Sequence, residues 1–143
     1  MKQSKMQYVY EIIEKCVEEL ETGTCHAILE HTQKTDEQLI NRIAVEKTLG
    51  ASTFSEEVDA VELISDCIYD SVELISWIKQ DRIKEDIIIH SDCPACGRKF
   101  IKDWSHNWQD GSLPCNTVTV ILGKRFDEGN CLVGIYVKTA YPE

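Results

Sequence analysis

The sequence predicts an α+β fold in which N-terminal helices pack on a C-terminal antiparallel β-sheet. Apolar residues recur at helical spacing through roughly the first 85 positions, and short β-branched or aromatic runs bounded by Gly and Pro follow. Helices come first and strands second, without the alternation that builds a parallel sheet. No internal repeat or long linker divides the 143 residues, so one domain is expected over 1–143, with a helical part to about 85 and a sheet part from about 86.

Val9, Ile12, Ile13, Cys16, Val17 and Leu20 form one apolar stripe, predicting a helix over residues 7–20 that Gly23 ends. A second helix begins at Thr35. There Thr35-Asp36-Glu37-Gln38 fits a capping box, with Leu39, Ile40 and Ile43 as the buried face. A third helical stretch opens near Thr53 or Ser55, with Glu56, Glu57 and Asp59 where the helix dipole favours acids. Its stripe runs through Val61, Ile64, Cys67, Ile68, Val72, Ile75 and Ile78, with Asp70-Ser71 as a possible break. Strands are expected at residues 87–89, 99–101, 117–122 and 132–141. The last two are joined through Asp127-Glu128-Gly129-Asn130, which suits an antiparallel hairpin.

Composition narrows the function. With 43% hydrophobic and 28% charged residues, the chain is neither disordered nor of low complexity. No apolar run is long enough to cross a membrane. Glu11 and Glu14 interrupt any signal-peptide core, and seven cysteines cannot all pair within one chain. A reducing, cytoplasmic setting is therefore expected, although a domain of a larger exported effector would read the same way. The net charge is −10, and all of the excess acid falls in residues 1–89, with nine Lys+Arg against nineteen Asp+Glu. Nucleic-acid affinity normally rests on basic surface, so any such activity must reside in a local site.

Several side chains can carry chemistry. His26 and His31 precede the capped helix, and Arg42 lies two turns into it. Each alone reads as an ordinary loop or surface residue. Near the end, the two-residue period of a strand puts Thr139 and Tyr141 on one face and Ala140 on the other, with Pro142 closing the ladder. Cys93-Pro94-Ala95-Cys96 has the spacing of a zinc knuckle, but closing such a site takes two more ligands from Cys115, Cys131, His90 or His106. Reduced turn thiols are the simpler reading. Trp104, His106 and Trp108, with Lys102 nearby, form either a base-stacking platform or an edge packed on the sheet.

The string from His26 through His31, Lys34 and Thr35 to Arg42, then Ala51-Ser52-Thr53-Phe54, Trp77-Ile78 and Val137-Lys138-Thr139-Ala140-Tyr141-Pro142, resembles the ribonuclease A-like toxin domain of bacterial contact-dependent growth inhibition (CdiA) effectors. The likeness spans about residues 25–142. It implies a ribonuclease A-like fold and a metal-independent endoribonuclease that needs no cofactor. It also implies RNA as substrate and a cognate immunity or inhibitor protein as partner. His31 and Arg42, eleven apart, join Thr139 and Tyr141 as the implied catalytic set, with His26, Lys34 and Lys138 as substrate contacts. A second proton-transfer group beside His31 stays open among His26, Tyr141 and Lys138. Gln33 stands where the family usually has glycine. The alternative is a non-catalytic binding protein of the same fold, with zinc at Cys93 and Cys96.

Overall fold

The structure, a computed structural model, describes residues 5–22, 31–46, 50–56, 58–101 and 111–143. Their elements are α1 (Lys5–Glu21), α2 (Asp36–Glu46), β1 (Gly50–Phe54), α3 (Ala60–Asp70), α4 (Val72–Lys79), β2 (Ile87–Ile101), β3 (Leu113–Phe126) and β4 (Leu132–Pro142). The strands form one antiparallel sheet in the order β1-β2-β3-β4. The α+β expectation therefore holds, with one correction in the first half. That half is not helical throughout, because β1 intervenes and pairs Gly50 with Ile101 and Phe54 with Gly97.

The predicted apolar stripes become the core. Val9, Ile12, Ile13, Cys16, Val17 and Leu20 of α1 are all buried, packed with Ile64 and Ile68 of α3, Leu74 and Ile78 of α4, and Val118, Val120 and Leu122 of β3. The third helical stretch starts later than expected and is two helices. Asp59 caps α3 by accepting from the Glu62 amide. Ser71 ends α3 and caps α4 by accepting from the Leu74 amide. A serine oxygen that satisfies a helix-start donor makes this the natural breaking point.

A second, smaller core sits under α2, where Leu39 and Ile43 pack on Ala51 of β1 and Phe100 of β2. The capping box forms as read: the Gln38 amide donates to Thr35 Oγ1 at 3.2 Å, and the Thr35 amide donates to Gln38 Oε1 at 2.8 Å. This reciprocal pair fixes where α2 starts, and the second core fixes which face it turns to the sheet.

The two expected strands at residues 87–89 and 99–101 are one long strand, β2, whose register shifts between Asp92 and Gly97. Such a bulge adds unpaired residues to one strand and bends it. Ala95 accordingly has φ 55°. At the bend, a Cβ on Gly97 would lie 2.4 Å from the Thr53 carbonyl and 2.7 Å from Pro142 Cγ. Only glycine permits this approach. Through it, the sheet curls until β1 and the end of β4 face each other across a cleft.

The connection between β3 and β4 is the turn expected at residues 127–130. Asp127 Oδ1 accepts from the Gly129 and Cys131 amides, each at 2.9 Å, and Asn130 adopts φ 62°.

Candidate active site

A cleft of about 530 Å³ opens between α2 with β1 and β2 on one side and the end of β4 on the other. Its lining includes His31, Arg42, Thr139 and Tyr141, drawn from positions more than 100 residues apart in sequence. Ser52, Lys99 and Glu143 complete its polar wall.

His31 belongs to the short segment before α2, and that segment is tied to β1. The Phe54 amide donates to the His31 carbonyl at 2.7 Å, Thr53 Oγ1 donates to the same carbonyl at 3.2 Å, and the Lys34 amide donates to Thr53 Oγ1 at 3.2 Å. Arg98 closes the far side, donating to the Lys34 carbonyl at 2.7 Å and pairing with Asp36 at 2.8 Å. These bonds hold the imidazole's backbone as firmly as a strand. His31 Nδ1 lies 3.4 Å from the Ser52 carbonyl. A carbonyl only accepts, so this contact favours the proton on Nδ1 and leaves Nε2 as the basic nitrogen. The ring tilts against Tyr141 with centroids 5.7 Å apart.

Thr139 and Tyr141 project from the same face of β4, paired with Ile121 and Thr119 of β3. Ala140 between them is buried in the main core. Burial, and then the negative charge of Glu143, push the Tyr141 phenol above its ordinary pKa. It therefore stays a neutral donor through the neutral range, suited to hold a phosphate oxygen and ill suited to accept a proton.

Two of the remaining expected substrate contacts, Lys34 and Lys138, are not in the cleft lining. Lys34 is outside the cleft lining, with its main chain held by Thr53 and Arg98. Lys138 is likewise outside the cleft lining and is paired with Asp86 at 2.6 Å. His26, Trp104, His106, Trp108 and Lys102 lie outside the described residues.

The cysteines do not converge on a metal among the described residues, where no group of three or more His, Cys, Asp or Glu is placed to hold one. Cys96 is buried, and its thiol donates to the Cys115 and Thr117 carbonyls, each at 3.6 Å. Burial pushes both the Cys96 and Cys115 thiols up to about 11, which keeps them protonated. Cys131 is exposed beside the β3–β4 turn, and His90 instead hydrogen-bonds Thr119 at 3.0 Å.

Lys99 and Glu143 were absent from the sequence reading of the site. Glu143 was legible by the same period of two that linked Thr139 to Tyr141. Lys99 was not, because its place depends on the bulge and on pairing with the unrecognised strand β1.

Comparisons with known proteins agree with this architecture. No curated protein matches the chain. A crystal structure of a CdiA-CT/CdiI complex from Y. kristensenii 33638 shares its fold, with a TM-score of 0.64 at 20% identity, covering 83% of this chain and 99% of that one. The family described as the bacterial CdiA-CT RNAse A domain matches residues 25–142. A match over that much of the chain, carried by a curled α+β sheet of the same fold, makes this protein a member of the bacterial CdiA-CT RNase A domain family.

Proposed function

We propose that the protein is a metal-independent endoribonuclease toxin domain acting at the cleft of His31, Arg42, Thr139 and Tyr141. The observation that carries this reading is that all four, from distant parts of the chain, line one cleft. Cleavage of RNA through its own 2′-hydroxyl requires proton transfer to and from oxygen and stabilisation of charge at a crowded phosphorus. His31 performs proton transfer through Nε2. Arg42 presents a fixed cationic fork to the phosphate oxygens. Thr139 and the neutral phenol of Tyr141 donate hydrogen bonds to the phosphate or an adjacent base.

The acidic whole and the cationic cleft are compatible. Lys99 has no ion pair among the described residues, and with Arg42 and His31 it gives the cleft a local positive balance within a chain of net charge −10. A cognate inhibitor that covers this cleft is the expected partner, in keeping with the CdiA-CT/CdiI complex among similar structures. Among the described residues no helix is long and apolar enough to cross a membrane.

Incubating the purified chain with total RNA in EDTA tests the proposal. Cleavage is expected, and His31→Ala should reduce it about 10²-fold or more, the usual contribution of a positioned proton-transfer group. Intact RNA with the wild-type chain, or full activity in His31→Ala, would favour the non-catalytic binding protein instead.

A further inference from the structure

We infer that Glu143 is the second proton-transfer group of the cleft, the base that takes the proton of the ribose 2′-hydroxyl while His31 protonates the departing 5′-oxygen. The inference rests on the ribonuclease reading of this cleft and adds to it the residue that reading lacked. Of the earlier candidates, Tyr141 is held neutral, Lys138 is paired outside the cleft, and His26 lies outside the described residues.

Glu143 is fixed in position by both its main chain and its side chain. Its amide donates to the Thr117 carbonyl at 2.7 Å, and its main-chain oxygen accepts from the Asn116 and Thr117 amides at 2.9 and 3.0 Å. Its carboxylate Oε2 accepts from the Thr119 hydroxyl at 2.7 Å. That hydroxyl has one hydrogen and gives it to the carboxylate, so at its 3.0 Å contact with His90 Nδ1 it must be the acceptor. The row His90–Thr119–Glu143 thus runs across the sheet with every donor directed toward the carboxylate. One threonine donor leaves the carboxylate with lone pairs to receive a further proton.

A carboxylate in a phosphate-binding cleft is unfavourable unless it has a task. Here the repulsion is offset by Arg42 and Lys99, which line the same space. The charged and titratable groups facing Glu143 are Tyr141 on its own strand, Lys99 of β2, His90 of β2 through Thr119, and Cys115 of β3, with His31 and Arg42 also lining the cleft. Burial keeps Cys115 protonated, and burial followed by the Glu143 charge does the same for Tyr141, so neither titrates in the acid range.

The step balances without a further reactant. The 2′-oxygen passes its proton to the Glu143 carboxylate and bonds to phosphorus. The bond from phosphorus to the 5′-oxygen breaks, and that oxygen takes the proton of the His31 imidazolium. The products are a 2′,3′-cyclic phosphate and a 5′-hydroxyl, with Glu143 neutral and His31 an uncharged imidazole. Exchange with water restores both.

The test compares Glu143→Gln, Glu143→Asp and His31→Ala on two substrates: a dinucleotide, and a nucleoside 3′-(4-nitrophenyl phosphate) whose leaving group needs no protonation. Glu143→Gln should lose about 10²-fold or more in kcat on both substrates and lose the acid limb of the pH–rate profile. Glu143→Asp should keep that limb at a reduced rate. His31→Ala should be largely rescued by the nitrophenyl substrate alone. A wild-type chain inert on RNA overturns the ribonuclease reading and this inference together. Active wild type, a His31→Ala loss on the dinucleotide and an unchanged acid limb in Glu143→Gln overturn only the inference. So does a Glu143→Gln variant that merely changes base preference. Should glutamine prevent folding, an active Glu143→Asp without an acid limb overturns it as well.

Discussion

Gln33 has φ 53°, in the left-handed region where a Cβ crowds the following carbonyl. The family resemblance places glycine there, and the structure supplies the reason, since the chain must reverse between His31 and the α2 cap. Replacing Gln33 with Gly should remove strain of about 1–2 kcal/mol. Part of that gain is offset by about 0.5–1 kcal/mol of added freedom in the unfolded chain. The expected net is a melting temperature higher by about 2 °C, read by thermal unfolding; a lower value would show that the left-handed turn carries no strain. At Tyr141, the phenol is a hydrogen-bond donor with its ionisation pushed upward, first by burial and then by Glu143. Tyr141→Phe should therefore lower cleavage about 10-fold at pH 7. The sign of the shift also predicts that Tyr141→Phe leaves the pH–rate profile between 6 and 9 unchanged in shape. His31, Arg42, Thr139 and Tyr141, which line one cleft, could be singled out in the sequence because the ordered strings that hold them resemble a known family. Lys99 carries no such string, and only folding brings it to the cleft.

The helices were legible because their cores demanded it. Six apolar residues on one face of α1 and the capping box of α2 each have a single low-energy solution. β1 was hidden because Gly50-Ala51-Ser52-Thr53-Phe54 is five residues long and starts with three small ones. Its strand character comes from pairing with β2, a tertiary effect that local propensity does not record. The bulge of β2 was read as a gap between two strands for the same reason. Gly97→Ala tests the bend, because the new methyl meets the Thr53 carbonyl and the ring of Pro142. Destabilisation of about 1–3 kcal/mol is expected from urea unfolding. At the other end of the sheet, Lys124 of β3 is buried and donates to the carbonyls of Trp77, Gln80 and Ile83 at 2.8, 2.9 and 2.8 Å. Its ammonium also lies 4.5 Å from the Trp77 ring centroid. It joins the Gln80 amide, which donates to the Ser76 carbonyl at 3.1 Å, in closing the carbonyl end of α4. Lys124→Met keeps the stem and removes the donors, so a loss of about 3 kcal/mol or more is expected in the same assay; an unchanged midpoint would mean that water replaces the ammonium.

Taken whole, the molecule is an acidic body with a small cationic cleft. Single-strand binding that releases counterions from Z phosphates weakens with salt at a slope near −0.7Z. With Arg42, Lys99 and a protonated His31 as the cations of the cleft, log affinity for a short RNA should fall against log salt with a slope of about −2. A slope much steeper would place binding on a wider basic surface. The curled sheet has a further consequence, because β4 follows the other three strands along the chain. A nascent or truncated chain that stops before Thr139 already holds the imidazole and guanidinium, but nothing stands opposite them. On the ribonuclease reading, a chain cut short there is expected to leave RNA intact.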